Sequence, residues 1–314
     1  MFALSLTALD DDSLDEAAAL VAREHDLARL VLPLLPSAWS DAAHCRTALA
    51  GLQADGYLGL VARHDGRCVG LMCGRAVGET AFLPADGVTV DPEVDPTPVL
   101  VGLFAALAPV LHEAGARRHL ITHVALAPLS EAFNNLGFGR GSVFGTQPAQ
   151  PFAPHPDIEV RVGGEADLDV IAGLSHVELL HRSTPPVYAA PLPNTLADTR
   201  AQHRRLMDAG AVHLVARLDG EDVGLLTLET TSPAPRLCPD GEPYIGPTAT
   251  AAPARGQGVG TALVRAALDW AHRHGRPTVS VDFDSPNPLS RPFWTGMGFE
   301  TTGYGVRRTL DAVP

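Results

Sequence analysis

The chain has 314 residues, enough for two domains, and its 46% apolar and 19% charged residues are typical of a globular protein. All 23 basic residues are arginine, which excludes Schiff-base chemistry, a pyridoxal-phosphate anchor and a phosphate-loop lysine. A formal net charge of −13 with no basic stripe argues against nucleic acid or an anionic membrane as a partner.

The N-terminus and the metal-binding residue types predict a cytoplasmic protein without a metal site. The opening residues, MFALSLTALDDD, lack the basic head and apolar core of a signal peptide. His272 and His274 would point in different directions on a helix and have no nearby acidic or sulfur ligand. The cysteines show no disulfide or metal spacing, so we expect them to be reduced and buried: Cys45, Cys68, Cys73 and Cys238.

Two segments of the chain carry the same pattern at an offset of 154 residues. Residues 60–71 read LVARHDGRCVGL, and residues 214–225 read LVARLDGEDVGL. Each segment places two apolar runs around Asp-Gly, which is the signature of a β-hairpin. A Gly-Phe pair at 137–138 recurs at 298–299, at an offset of 161. The preserved order predicts an internal duplication.

The first half ends with an apolar helix and a proline-rich connection. The run Val99–Leu111 is shorter than the ~18 residues that span a bilayer, and Pro109 interrupts it. Because it is apolar nearly all round, it predicts a buried helix covered by its own sheet, the other domain or a partner chain, which leaves a homodimer open. Residues 146–157, TQPAQPFAPHPD, are typical of a linker. The predicted domains are therefore residues 1–150 and 151–314.

The second half has the pattern of a mixed α/β domain. Apolar runs between turn residues predict strands over 158–162, 212–217, 223–230 and 278–283, another after Tyr244, and terminal strands. Helices are predicted over 166–175, 196–208, about 258–274 and about 289–297. The predicted fold class is α/β, with an α+β mixed sheet.

Residues 252–261, APARGQGVGT, join a predicted strand to the most regular predicted helix. Gly256, Gly258 and Gly260 leave backbone N–H groups exposed at the positive end of the helix dipole, which predicts a cradle for a pyrophosphate. The spacing does not fit the dinucleotide fingerprint G-x-G-x-x-G, and a Walker loop needs a lysine. The alternative is a tight turn that holds no ligand.

This loop reads R-x-x-G-x-G over Arg255–Gly260, and a second signature follows it: Asn287, Ser290, Trp294 and Gly298-Phe299. With these two motifs, residues 157–310 resemble the GCN5-related N-acetyltransferase (GNAT) family, and the first half resembles it only in outline. The resemblance implies two tandem acyl-CoA N-acyltransferase (GNAT-like) domains. It also implies acetyl coenzyme A (acetyl-CoA) as cosubstrate, gripped by the loop at its pyrophosphate.

The resemblance further implies which residues bind the coenzyme. The strand before the loop would pair with the pantetheine arm, and one of its amides would polarise the thioester carbonyl. Pro247 suits a strand that splays from its neighbour. The implied coenzyme-binding residues are Thr248, Ala249, Thr250, Arg255, Gly256, Gln257, Gly258, Val259, Gly260, Thr261, Asn287 and Trp294.

The acid and base of the reaction are less well defined. The usual acid of the family is a tyrosine, and Trp294 takes its place here without a proton to give near neutral pH. The thiolate would then take its proton from water or from a phenol nearby in sequence, Tyr304 or Tyr188. Glu229 and Glu242 are candidate bases, each acting through water.

The first half lacks the features of the phosphate loop. At an offset of 160, positions 255, 258 and 260 are matched by Asp95, Pro98 and Leu100. The run VDPEVDPTP over residues 90–98 places carboxylates where an anion would bind and prolines where amides would donate. We therefore expect a degenerate copy that shapes the acceptor pocket.

The expected function is an acetyl-CoA-dependent N-acetyltransferase that acts by direct transfer on an amine of a small molecule or peptide. Asp282 and Asp284, at the end of a predicted strand, are candidates for attracting a cationic acceptor; the alternative is a solvated strand end. Two alternatives stay open: a sensor that binds coenzyme A or its acyl form without turnover, motivated by Trp294, and a structural module whose glycine turn holds nothing.

Overall fold

The computed structural model describes residues 3–188, 195–239 and 241–310. These residues form two compact units. Unit 1 contains the chain up to Phe144, the short segment Ala234–Leu237 and the chain from Thr301 onward; unit 2 contains Gly145–Pro233 and Cys238–Glu300. The predicted segments 1–150 and 151–314 differ from these units, because two pieces of the C-terminal half belong to unit 1.

The N-terminal half contains four α-helices and seven strands among its described residues. The strands are β1 (Ser5–Ala8), β2 (Leu58–His64), β3 (Arg67–Val77), β4 (Thr80–Leu83), β5 (Val88–Val90), β6 (Arg118–Val124) and β7 (Gly139–Pro148). The helices are α1 (Asp11–Arg29), α2 (Ala42–Ala54), α3 (Pro96–Glu113) and α4 (Ala127–Asn135).

The described part of the C-terminal half repeats this arrangement. Its strands are β8 (Glu159–Gly163), β9 (Val212–Leu218), β10 (Glu221–Glu229), β11 (Tyr244–Thr250), β12 (Thr278–Asp284) and β13 (Glu300–Thr309). Its helices are α5 (Leu168–Arg182), α6 (Leu196–Asp208), α7 (Val259–Arg273) and α8 (Ser290–Gly296). The chain is thus a mixed α/β protein, as predicted.

Each unit has its own strand order. In unit 1 the order is β1-β2-β3-β4-β6-β13, with β5 also paired to β3. In unit 2 the order is β12-β11-β10-β9-β8, and the end of β7 lies beside β12. Strand β13, the last described strand, runs antiparallel to β6, with Tyr304 opposite His123. The last strand of the second copy therefore completes the sheet of the first.

The two hairpins predicted from the repeat are confirmed, and the structure shows that they share an irregularity. Their turns place Asp65 and Asp219 at φ values of 49° and 51°, as a two-residue primed turn requires. The register of both hairpins shifts at the same point, after the pairs Ala62↔Gly70 and Ala216↔Gly224. This matching bulge supports the duplication.

The hairpin glycines fix how a helix packs on each sheet. A Cβ on Gly70 would collide with Val99 of α3, and a Cβ on Gly224 would collide with Val259 of α7. Leu103 and Leu263 lie next to the same two glycines. The helices α3 and α7 are therefore counterparts, in register at the predicted offset of 160 residues.

Helix α3 differs in part from the prediction. Its buried face, which includes Leu103, Leu107 and Leu111, joins the main core of unit 1. Val101 and Val110 are 45% and 44% exposed, so the described residues do not cover the helix on every side. Its length and apolar composition would also suffice to cross a membrane, with 39% of that stretch buried inside the protein.

The linker is shorter than predicted, and it contacts helix α7. Residues 146–148 are the end of β7, and Thr146 Oγ1 lies 2.9 Å from Ser280 Oγ. Beyond them, the Phe152 N–H donates to Asp269 of α7 at 3.3 Å. Proline content indicated an irregular segment, but burial of Thr146 against β12 extends the strand into it.

Arg236 is a fully buried arginine that was not predicted from the sequence. It lies in the segment that the loop after β10 contributes to unit 1. Its guanidinium pairs with Glu24 of α1 and donates to the carbonyls of Ala85 and Val88 at 2.9 and 3.1 Å. These partners offset the cost of desolvating the charge.

Candidate functional site

A cavity of about 720 Å³ lies in unit 2 and is lined by two chemically different ends. One end is the glycine turn at the start of α7. The other is a group of ionisable side chains on α5, β10 and β12. The strand β11 runs between them. The volume of the cavity is in the range of small-molecule and cofactor pockets.

Strand β11 separates from β12 along the cavity. The two strands pair in parallel only at Tyr244↔Ser280 and Ile245↔Val281, whereas β11 continues to Thr250 and β12 to Asp284. The register between β10 and β11 also shifts beside Gly246 and Pro247. The backbone of β11 beyond Ile245 therefore has an edge that faces the cavity, as expected from Pro247.

The glycine turn presents unshielded amides at the start of α7. Gly258 is the N-cap residue with φ of 88°, and none of the described side chains caps the helix. The first N–H group that bonds within the helix is that of Ala262. The N–H groups of Val259, Gly260 and Thr261 therefore have no partner within the helix. Three backbone donors at a positive helix end fit a pyrophosphate group.

Two aromatic side chains frame this turn, and neither was predicted as a site residue. A Cβ on Gly260 would lie 3.1 Å from the Phe293 ring, so the glycine makes room for a ring that lines the cavity. The His155 Nε2 lies 3.7 Å from where a Cβ on Gly258 would be. His155 falls in the predicted linker, and only its packing on the turn shows its position.

At the other end, Glu229 closes β10. Gly246, close by on β11, leaves the space for its side chain, since a Cβ there would collide with Glu229 Oε1. Burial raises the pKa of Glu229, and the nearby charge of Asp282 raises it further. The side chain nevertheless lines the cavity, so its carboxylate is available to a bound molecule.

Asp282 and Tyr244 form a hydrogen-bonded pair across β11 and β12. The Tyr244 hydroxyl donates to Asp282 Oδ1. Asp282 is exposed to the cavity although its neighbours Val281 and Phe283 are buried. Dense surrounding protein raises the pKa of Asp282, while burial raises the pKa of Tyr244 well above its usual value.

Helix α5 adds two ionisable residues to the same end. Arg182 contacts Asp284 through two nitrogens, at 2.6 and 3.3 Å, and lies 3.5 Å from Glu178. Burial raises the pKa of Glu178 to about 7; Arg182 opposes this effect, and Asp284 and Asp282 add to it. The predicted helix ended at residue 175, so Glu178 and Arg182 were not predicted as site residues.

The structure brings most of the predicted residues together at this cavity. Those that line it are Glu229, Thr248, Ala249, Thr250, Arg255, Gly256, Gly258, Val259, Gly260, Thr261, Asn287 and Trp294. Asp282 and Asp284 line it as well. Asn287 Oδ1 accepts from the Leu289 and Ser290 N–H groups at 3.0 and 3.4 Å, which orders the turn before α8.

Four predicted residues do not line the cavity. Gln257 is exposed and donates to the Pro253 carbonyl at 2.9 Å. Glu242 accepts a backbone hydrogen bond from Thr278, where β12 begins. Tyr188 is 64% exposed. Tyr304 lies in unit 1, beneath a guanidinium 3.7 Å from its ring centre. Tyr304 was predicted from its proximity in sequence, but the chain from Thr301 onward belongs to unit 1.

Trp294 lies in the cavity wall as a packing residue. It is 5% exposed, and its ring meets those of Phe293 and Phe299 edge-on, with centroids 4.9 and 5.4 Å apart. This geometry stabilises the end of α8 against the core. Trp294 therefore shapes the cavity and supplies no acidic proton.

The start of α3 in unit 1 has a different construction. Asp95 is its N-cap, and the carboxylate accepts from the Thr97 N–H at 2.9 Å. Pro96 and Pro98 have no N–H to offer. Just before it, Asp91 is buried and lies 2.6 Å from Arg23. The Asp95 carboxylate thus occupies the position at the start of α3 that suits an anion.

A family model supports the identity of unit 2. Residues 177–299 match the Acetyltransferase (GNAT) family. Unit 2 therefore carries a GNAT-family domain. Members of this family typically use acetyl-CoA. The GNAT match covers the glycine turn, β11, β12 and α8, and it lies only in the C-terminal half, consistent with an intact second copy and a degenerate first copy.

Solved GNAT structures match the whole chain. A tandem GNAT protein from the clavulanic acid biosynthesis pathway, without AcCoA, aligns over 99% of both chains with a TM-score of 0.57 and 18% identity. A GCN5-related N-acetyltransferase from Sphaerobacter thermophilus covers 98% of this chain and 95% of its own, with a TM-score of 0.62 and 13% identity.

A GNAT-family acetyltransferase from Colwellia psychrerythraea covers 98% of this chain and 100% of its own, with a TM-score of 0.54 and 13% identity. At these identities the matches show the fold. A comparison with curated proteins finds no significant match. Both halves of the chain thus have a GNAT-like fold.

Proposed function

We propose that the chain is an acetyl-CoA-dependent N-acetyltransferase that transfers an acetyl group directly to an amine of a small molecule or peptide. One observation carries the proposal: a single cavity joins an uncapped glycine turn, a splayed strand edge and a buried carboxylate. When bound, acetyl-CoA would supply an activated thioester carbonyl to the acceptor amine. The remaining steps belong to residues of this chain.

The coenzyme end is built from backbone groups. The amides of Val259, Gly260 and Thr261 would hold the pyrophosphate, because the helix dipole favours negative charge there. The open edge of β11 over Thr248–Thr250 would pair with the extended pantetheine arm. A backbone N–H on that edge would stabilise negative charge on the carbonyl oxygen.

The acceptor end supplies the base. An amine attacks only when it is neutral, and free amines are largely protonated near pH 7. Glu229 faces the cavity, and its pKa is raised toward neutral pH. It is therefore suited to take that proton directly or through one water. As the new C–N bond forms and the C–S bond breaks, the nitrogen loses its second proton to solvent. The departing thiolate takes up a proton from solvent, since a thiol has a pKa of about 8.5.

The test is thiol release from acetyl-CoA in the presence of a panel of amines. Glu229→Gln is expected to lower kcat/KM by ~10²-fold or more, because a glutamine cannot accept the proton. Glu242→Gln is the matched control, since Glu242 does not line the cavity, and should leave kcat/KM unchanged. Equal activity of Glu229→Gln and the wild type would contradict the assignment of the base.

A coenzyme-binding sensor is the second candidate. The observation that favours it is Trp294, which fills the place of the family's tyrosine and is packed between two rings. A sensor would bind acetyl-CoA at one site per chain without releasing thiol with any amine. Thiol release that depends on both an amine and Glu229 would exclude it.

A further inference from the structure

The acceptor end of the cavity carries more negative than positive charge. Four carboxylates line it, on α5, β10 and β12: Glu178, Glu229, Asp282 and Asp284. Among the described residues that line this end, the compensating guanidinium is that of Arg182; Arg255 lies in the glycine turn at the other end. His181 also lines the cavity.

Arg182 cannot balance this group. It makes its two closest contacts with Asp284, at 2.6 and 3.3 Å, and lies 3.5 Å from Glu178. Glu229 and Asp282 are left without an arginine partner in the hydrogen bonds and ion pairs of the described residues. Like charges that share a poorly solvated site destabilise one another, and a bound cation relieves that repulsion.

A second feature also indicates a polar ligand at this end. The Nε2 atom of His181 is buried and has no hydrogen-bond partner among the described residues. A buried polar atom without a partner costs free energy; in the tautomer that carries its proton on Nδ1, Nε2 would recover it by accepting from a donor of a bound molecule. An ammonium group has three such donors.

The rim of the same end is apolar. Val177 and Leu289 line the cavity and are 43% and 51% exposed. Exposed aliphatic side chains beside a cluster of carboxylates suit a ligand that has a hydrocarbon part and a charged part. A compact, fully hydrated cation would leave this rim unused.

The reacting amine cannot supply the missing charge. It must be neutral when it attacks, because its lone pair forms the new bond and Glu229 has taken its proton. The product amide is neutral as well. A positive charge that balances Asp282 throughout the reaction must therefore come from another group of the acceptor.

Building on the proposed function, we propose that the acceptor is a diamine or polyamine: an aliphatic amine with a second cationic group, which binds Asp282 and Glu178 while the first is acetylated by way of Glu229. The aliphatic spacer would contact Val177 and Leu289. The acceptor end therefore selects against neutral and anionic amines.

The experiment compares matched ligands of equal length on the full chain saturated with coenzyme A. Calorimetry measures the binding of 1,4-diaminobutane against 1-aminobutane, and of 1,8-diaminooctane against 1-aminooctane. We expect at least one diamine to bind ~10-fold more tightly than its monoamine partner. Raising the salt concentration from about 50 mM to about 500 mM should reduce this difference.

Variants locate the second charge. Asp282→Asn should bring the diamine affinity close to that of the monoamine, whereas Asp219→Asn should leave it unchanged. Asp219 is a matched control because it lies in the exposed β9–β10 turn at a φ of 51°, which asparagine also adopts. If Asp282→Asn fails to fold, the wild-type comparison of diamine with monoamine decides alone.

Two outcomes overturn this inference: equal affinity for diamine and monoamine at both lengths, or no binding of either diamine. Thiol release measured in parallel, with acetyl-CoA in place of coenzyme A, separates it from the proposed function. Diamine preference without thiol release contradicts the transferase and leaves the cation site standing. Thiol release with equal kcat/KM for monoamines and diamines contradicts the cation site and leaves the transferase standing.

Discussion

The starts of α3 and α7 are the same part of a duplicated fold, and they have opposite chemistry. The packed pairs Gly70–Val99 and Gly224–Val259 fix the alignment of the two helices. In unit 2, residues 256–258 form a turn and the helix begins at Val259. In unit 1 the equivalent residues 96–98 already belong to the helix.

This difference decides whether an anion has a place to bind. In the first turn of α3, Pro96 and Pro98 have no N–H, and the Thr97 N–H is taken by Asp95. In the first turn of α7, no side chain of the described residues takes the amides. The helix dipole is present in both. Anion binding therefore depends on which groups already satisfy the first turn.

The largest predicted effect comes from giving α7 the carboxylate that α3 has. Gly258→Asp is expected to weaken acetyl-CoA binding by ~100-fold or more, because a charge at the N-cap position repels the pyrophosphate and satisfies its donors. Gly258→Asn is the control, since it has a similar size, also tolerates the left-handed backbone and adds no charge. Calorimetry measures both; equal losses would point to backbone strain instead of charge.

A second prediction concerns the free energy of unfolding, which the ionised Glu178 in the cavity of unit 2 lowers. Glu178 has a pKa of about 7 when folded, against an ordinary value of 4.5, so the folded chain holds a proton that the unfolded chain releases. Stability therefore falls as the pH rises from about 4.5 to about 7. Glu178→Gln should be more stable than the wild type by on the order of 1–2 kcal/mol above pH 7.

The same variant should differ little from the wild type near pH ~3.5, where the carboxyl is largely protonated in the unfolded chain, with its ordinary pKa of 4.5, and in the folded chain as well. Chemical denaturation at the two pH values makes the comparison. A stability difference that does not change with pH would show that the glutamine acts through packing and not through ionisation. A 1,8-diaminooctane ligand should narrow the difference above pH 7, since it stabilises the ionised form.

The smallest predicted effect comes from a change at the start of α3. Asp95→Ala removes the N-cap of α3 and should destabilise the chain by about 1 kcal/mol. It should not create a second coenzyme site, because Pro96 and Pro98 still provide no N–H. Denaturation gives the first quantity and a calorimetric titration the second. Two bound equivalents per chain would show that Asp95 alone blocks unit 1.

The features predicted correctly from the sequence are those with local signals. The two hairpins follow from Asp-Gly between apolar runs, and α7 follows from its regular spacing and its flanking glycines. The splay of β11 follows from Pro247. Each of these depends on backbone conformations that a few neighbouring residues determine.

The features that were missed depend on pairing across the fold. Nothing near Tyr304 shows that β13 pairs with β6. Helix α5 was predicted too short because Ser175, Glu178 and Arg182 turn a polar face to the cavity and interrupt the apolar spacing. The four-residue step from Glu178 to Arg182 is a helix signal that could have extended it.

The central claim is that the first turn of α7 binds the coenzyme and the first turn of α3 does not. Amide NMR of the full chain during titration with coenzyme A tests it directly. Saturating shifts at Gly256, Gly258 and Gly260, with none at Thr97 or Val99 and a stoichiometry of one, are the predicted result. Shifts at the start of α3, or none at the glycine turn when the coenzyme is bound, would contradict it.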